Sequence, residues 1–297
     1  MGNMIVTGTA DGVFEIGLDG AIRRQALAGS EVRAVSGEWA IADDRLVSLA
    51  DGRAVDLPDG LVPQCLLAGA GGNCLVGTSR ARLFEVGGGQ TRVVTSFDEI
   101  PQRHEWSTPW GGPPDTRSLA PLSDGLLVNV HVGGVWRGDA ESWAEVVPAS
   151  HDVHQVVAHD KTVVAAGGDG VGVSLDGGVT WSWSADGLHA GYCRAVAIAD
   201  GYVLVAASTG PATNHASVYR RPVDAPAKPF EPCGDSTPTG LPAGFKRNID
   251  TFELAAAGEM VAVATPTSEL YLSDDSGENW LRINDALPGI RCVGFVD

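Results

Sequence analysis

The sequence predicts an all-β fold, a seven-bladed β-propeller of four-stranded antiparallel blades, as one domain over residues 1–297. Three observations carry this. A strand pattern of apolar runs separated by short polar turns recurs seven times along the chain. Glycine is abundant, with 39 residues, while aromatics make up only 6%, which suits many short strands joined by tight turns. The two ends also complement each other. The last apolar run reads as a first strand with nothing after it, and the opening run as a second strand with nothing before it.

In chain order, the first strands of the units begin at Arg33-Ala34-Val35, Gln64-Cys65-Leu66, Arg117-Ser118-Leu119, His154-Gln155-Val156, Arg194-Ala195-Val196, Asp250-Thr251-Phe252 and Arg291-Cys292-Val293. The last of these has its complement in Met4-Ile5-Val6-Thr7-Gly8-Thr9, so the N- and C-termini are expected to share the first blade. Sharing closes the ring and removes the open sheet edges that invite aggregation. Two stretches break the rhythm, about 97–115 and 209–248, and long insertions in a compact repeat fold tend to be functional loops or disordered segments.

The formal net charge of −17 argues against sequence-independent binding to nucleic acid or anionic lipid, which needs clustered Lys and Arg. No apolar run approaches the length of a membrane span, and no leader pattern of a basic and then an apolar region opens the sequence, so a cytoplasmic location is expected. Five cysteines without C-x-x-C spacing fit reduced, buried thiols.

In a closed ring of blades, the residues that open each first strand surround one mouth of the central channel. That register gathers Arg33, Gln64, Arg117, His154, Arg194, Asp250 and Arg291, four arginines against one aspartate in an acidic protein. Guanidinium groups crowded into a partly desolvated pocket repel one another and are costly unless acids or an anionic ligand offset them. Their forked donors suit carboxylate or phosphate. Structural pairing with Glu31, Asp115, Asp152 and Asp250 is the competing explanation. Trp106 and Trp110, in the first insertion, are expected to cover this mouth and to offer rings for stacking on a sugar. His131, His154 and Tyr192 are the candidate acid–base groups there. The spacing His151-Asp152-Val153-His154 hints at a metal, but neighbours three apart on an extended loop diverge, so one of the two histidines reaches the axis and no metal site is assigned.

Two segments share one spelling, Ser174-Leu175-Asp176-Gly177-Gly178-Val179-Thr180-Trp181 and Ser273-Asp274-Asp275-Ser276-Gly277-Glu278-Asn279-Trp280. This S-x-D-x-G-x-[T/N]-W pattern resembles the Asp-box (BNR) repeat of sialidase-like β-propellers. The resemblance implies a folded turn whose carboxylate accepts backbone N–H groups, placed on the face opposite the arginine-bearing mouth. Sialidases of that superfamily hold a substrate carboxylate with three arginines, and use a Tyr nucleophile activated by Glu, an Asp acid and an Arg-Ile-Pro segment. Arg117, Arg194 and Arg291 could imitate the trio. The sequence has no Arg-Ile-Pro and no paired Glu beside Tyr192, and it has seven units rather than six blades, so it reads as a non-sialidase member.

The leading expectation is therefore a propeller that binds a small anionic or carbohydrate-like molecule at the arginine-rich mouth. A glycoside hydrolase-like or lyase-type enzyme at the same mouth is the alternative, with a metal-assisted version that would draw on His104, His131, His151, His154 and His189 together with Asp152 or Asp115, and a scaffold for a protein partner is the third reading. The sequence leaves catalysis open and names no cofactor.

Overall fold

A computed structural model describes residues 4–139, 141–213, 215–234 and 240–296. They form seven four-stranded antiparallel sheets arranged as a seven-bladed β-propeller. The innermost strands are Ile290–Val296, Val32–Ser36, Pro63–Ala68, Thr116–Leu122, Gln155–His159, Tyr192–Ala199 and Leu254–Ala257, and each packs against the corresponding strand of the next blade right around the ring. The termini share a blade, as expected. Met4–Thr9 is zipped to Ile290–Val296 over six residue pairs, from Met4 opposite Val296 to Thr9 opposite Ile290.

Burial follows position in the blade. Inner strands alternate, as in Thr116–Leu122, because one side of the pleat faces the channel. Second strands such as Tyr202–Ser208 and Thr162–Gly167 are buried almost throughout, since neighbouring blades cover both faces. The outer strand Ile22–Ala26 is largely exposed. The core is thus divided among the seams between blades. One apolar cluster joins Ala195, Ala197, Leu204 and Val218 to Leu254, Val261, Val263 and Tyr271 of the next blade, and another joins Ile5, Phe14 and Ile16 to Ala262, Leu270 and Leu272. The first insertion begins inside a seam, with Phe97 fully buried among Leu83, Val128 and Trp136. In the second insertion, residues 214 and 235–239 lie outside the described residues.

The two repeated turns have the same hydrogen-bond geometry. Asp176 Oδ1 accepts the N–H groups of Val179 and Thr180 at 3.0 and 2.8 Å, and Asp275 Oδ1 accepts those of Glu278 and Asn279 at 3.1 and 2.8 Å. Trp181 and Trp280 each donate Nε1–H to a glycine carbonyl, Gly178 and Gly277, at 2.9 Å. Both turns are tied to the loops joining first and second strands, through Gly177 N–H to the Lys161 carbonyl and Ser276 N–H to that of Glu259. They therefore lie on the face away from the loops that enter the inner strands.

Candidate functional site at the channel mouth

Five inner strands carry a β-bulge at the same place. The extra residues are Arg33, Gln64, Arg117, Arg194 and Arg291, each skipped between two paired neighbours. A bulge re-aims the side chain of its extra residue, which explains how five blades present one position to a common opening. In the other two blades pairing starts at Gln155 and Leu254, so the equivalent residues are His154 and Glu253.

This corrects the register of the seventh blade. Asp250-Thr251-Phe252 reads as a strand because Thr and Phe favour extended backbone. In the structure it is a turn, closed by Glu253 N–H to the Asp250 carbonyl at 2.9 Å and by Asp250 N–H to Glu253 Oε2 at 2.7 Å, with Phe252 at φ 72°. Glu253 takes the ring position, three residues later, and Asp250 still reaches the opening from the turn. The charge count changes accordingly. A cavity of about 560 Å³ is lined by Arg33, Arg117, Arg194 and Arg291, but also by Asp115, Asp250 and Glu253. Glu253 is the residue that sequence reasoning missed, and its only signal was the apolar run Leu254–Ala257 beginning one residue after it.

The acids hold three of the four arginines. Arg194 pairs with Asp250, Arg291 Nε with Glu31 at 2.8 Å, and Arg33 with Asp44 at 2.8 Å. Arg33 also donates to the Pro63 carbonyl at 2.7 Å. Arg117 differs: among the described residues it has no hydrogen bond and no acid within 4.0 Å. Burial, and then the neighbouring Arg194, push its pKa below the usual arginine value. Burial raises Asp115, opposed by the Arg80 N–H and by Arg117 and Arg33. Burial pushes Glu253, only 3% exposed, up to about 8.

On one side of the cavity stand the histidines. His131, on the loop after Gly125–Val130, lines the cavity, and burial together with Arg117 pushes its pKa down to about 4. Trp110, 72% exposed, lies over it with ring centroids 5.5 Å apart. His154 is buried beside the cavity, its Nδ1 2.7 Å from the Cys193 carbonyl oxygen and its ring edge-on to Tyr192 at 4.7 Å. Between the two imidazoles lies Asp152. His151 points elsewhere and stacks flat on Trp183 at 3.9 Å, but the backbone here is a 3-10 turn over Ala149–His151 followed by left-handed Asp152 rather than the expected extended loop. Trp106, grouped by sequence with the ligand-binding residues, packs instead into a seam against Phe97 and Trp136, with Arg103 over its ring at 4.9 Å. The apolar demand of that seam takes it away from the mouth.

No protein-family model matches this sequence, and none of the curated proteins matches it. Solved structures do resemble it. The β-propeller domain of Cps50 (Swd1) from Myceliophteria thermophila aligns at TM-score 0.61 and 13% identity, covering 88% of this chain and 90% of its own. The computationally designed Ika8 protein aligns at TM-score 0.58 and 17% identity, covering 95% and 84%. The GH74 xyloglucanase of Xanthomonas campestris aligns at TM-score 0.55 and 13% identity, over 95% of this chain but 43% of the enzyme. At these identities the likeness is one of fold. No helix among the described residues is long and apolar enough to cross a membrane.

Proposed function

We propose that the protein binds a small anionic ligand, a carboxylate or phosphate, at the channel mouth, with Arg117 as its anchor. The supporting observation is the unpaired guanidinium of Arg117 in a cavity where the other arginines already have acid partners. Such a group keeps its charge under desolvation and has forked donors free for an incoming oxyanion. Neighbouring Arg194 adds to the field, and exposed Trp110 supplies a flat apolar face against which a sugar or other ring carrying the anion would rest. The two repeated turns, on the opposite face, serve the architecture in the manner of Asp-boxes.

Isothermal titration with a panel of simple carboxylates, sugar acids, inorganic phosphate and sugar phosphates tests this. At least one class binds, more weakly at higher salt, and Arg117→Ala lowers its affinity at least tenfold while Arg23→Ala, on an outer strand, does not. Equal affinity in the wild type and Arg117→Ala overturns the reading.

A second reading is favoured by Glu253, a carboxyl group that keeps its proton near neutral pH and faces the same cavity. It makes Glu253 a general acid, with His131 lining the same cavity, His154 next to His131 and Tyr192 next to His154, in a hydrolase- or lyase-type reaction. Turnover of a glycoside or uronide that is abolished in Glu253→Gln distinguishes it from plain binding. Five buried free cysteines support a reducing, cytoplasmic setting. Recovery of a stoichiometric protein complex that Arg117→Ala leaves intact would favour the scaffold reading instead.

A further inference from the structure

We infer that His131, Asp152 and His154 form a binding site for a divalent first-row transition ion such as Zn²⁺, with a coordination position left open toward the channel-mouth cavity.

Two blades supply the donors. His131 comes from the loop after Gly125–Val130, while Asp152 and His154 come from the segment that enters the inner strand Gln155–His159 of the next blade. One ligand atom from each lies within 4.8 Å of the other two. His131 Nε2 is 3.6 Å from Asp152 Oδ1, and His154 Nε2 is 3.5 Å from Asp152 Oδ2. These separations are too long for good hydrogen bonds, which lie at about 2.7–3.2 Å. Each is near the edge of a tetrahedron, about 3.4 Å when metal–ligand bonds are about 2.1 Å, the two running to different oxygens of the one carboxylate.

The orientation of His154 points the same way. Its Nδ1 sits 2.7 Å from the Cys193 carbonyl oxygen and donates a proton there, which leaves Nε2 directed at the carboxylate. A backbone carbonyl that fixes the far nitrogen is how metal-ligating histidines are held. Asp152 Oδ1 is buried without a hydrogen-bond partner, and the His154 side chain, only 1% exposed, directs Nε2 at the other oxygen of the same carboxylate.

Two imidazoles and a carboxylate select zinc and its neighbours over magnesium or calcium, which prefer all-oxygen shells. Three protein donors leave a fourth position for water or another ligand, the arrangement of catalytic rather than structural zinc. The opening is on the His131 side, because His131 lines the cavity while His154 is enclosed. Arg117 stands close enough to His131 to disfavour positive charge there. It therefore weakens cation binding, which provides a diagnostic variant.

The test is calorimetric titration of tag-free, chelator-treated protein with Zn²⁺ alone, alongside Co²⁺ followed by visible absorption. The expected result is one saturable equivalent, with intense cobalt bands of four- or five-coordination. Asp152→Asn and His131→Ala each lower the affinity at least tenfold. Asp152 has left-handed backbone (φ 43°), which Asn tolerates, so Asp152→Asn is expected to fold normally. Arg117→Ala raises metal affinity, and a variant lacking exposed His104 and His159 is unaffected. Absence of a saturable equivalent overturns the inference. So does binding that Asp152→Asn and His131→Ala leave unchanged, since the ion then sits elsewhere. Loss of anion affinity in Arg117→Ala with metal binding retained would separate the two sites.

Discussion

Glu253 Oε2 accepts the backbone N–H of Asp250 at 2.7 Å while Asp250 holds Arg194, so two carboxyl groups share one turn and only Asp250 is paired with a cation. Glu253 bears the cost of burial, with the charge of Asp250 adding to it, and its pKa rises from 4.5 to about 8. A raised carboxyl pKa means the folded protein holds a proton that the unfolded chain releases. Its stability contribution is complete below about pH 4.5 and is lost as the pH rises through 8. His131 acts in the opposite sense: lowered from 6.5 to about 4, it costs stability as the pH falls through that range. The two slopes oppose each other at mildly acidic pH and leave Glu253 alone above pH 6.5. Between pH 6.5 and 8 the urea midpoint of the wild type should fall, by about 2 kcal/mol in stability, whereas Glu253→Gln should be flat there. A variant that keeps the wild-type slope would place the titrating group elsewhere.

Arg117 contributes ligand affinity at a cost to the fold. Its guanidinium is desolvated, faces Arg194, and among the described residues has no compensating ion pair. Exchanging such a group for an apolar one of similar volume is often stabilising. Arg117→Met should therefore raise the stability by an amount on the order of 1–3 kcal/mol, and the melting temperature with it, while abolishing anion binding. Thermal denaturation at pH 7 with and without phosphate measures both. Reduced stability would mean that Arg117 has a structural partner.

The architecture was legible because each blade repeats the same alternation, and because the closing strands at the two ends pair residue by residue as their patterns imply. The ring of arginines was legible for a related reason: the bulge that turns Arg33, Arg117, Arg194 and Arg291 inward sits at one fixed place in each repeat. Glu253 was hidden because a turn carrying Thr251 and Phe252 mimics a strand start. The register places several histidines near this mouth together with Asp152 or Asp115, but the set that meets joins two blades and has no short-range spacing to read. Trp106 shows the limit of composition: a tryptophan in a polar insertion suggested a binding face, but burial of Phe97 in the seam drew it inward.

The two repeated turns share their hydrogen bonds but not their surroundings. Gly178 and Gly277 hold φ of 87° and 83°, a conformation in which any Cβ is strained. A Cβ on Gly178 would lie 3.4 Å from Leu127 Cδ2, an ordinary contact, whereas one on Gly277 would come within 2.6 Å of Leu204 Cδ2. Leu204 is fully buried, so it cannot swing aside without disturbing its seam. Gly178→Ala should cost about 1 kcal/mol, the backbone strain alone. Gly277→Ala should cost about 1–3 kcal/mol more from overpacking. Chemical denaturation of the two variants compares them directly, and equal losses would show that the seam around Leu204 yields.

Closure through the terminal strand is the last prediction. Ile290, Cys292 and Val293 are buried, Ile290 and Val293 packing in the same seam as Ile5. Gly8 brings the backbone so near that a Cβ there would stand 2.7 Å from Cys292 Sγ. A chain ending at Gly289 would expose the unpaired edge of Met4–Thr9 and open the seams on either side of that blade. Because each seam is shared by two blades, the loss should spread around the ring. The truncated chain is expected to melt at least 10 °C lower, with a broadened transition and a tendency to self-associate through the free edge. A synthetic peptide spanning residues 290–296, added in excess, should restore much of the loss by re-forming the same register, in proportion to its concentration. A scrambled peptide should not. If the truncated chain melted as sharply and as high as the full chain, the ring would be held by its seams alone and the shared blade would be incidental to stability.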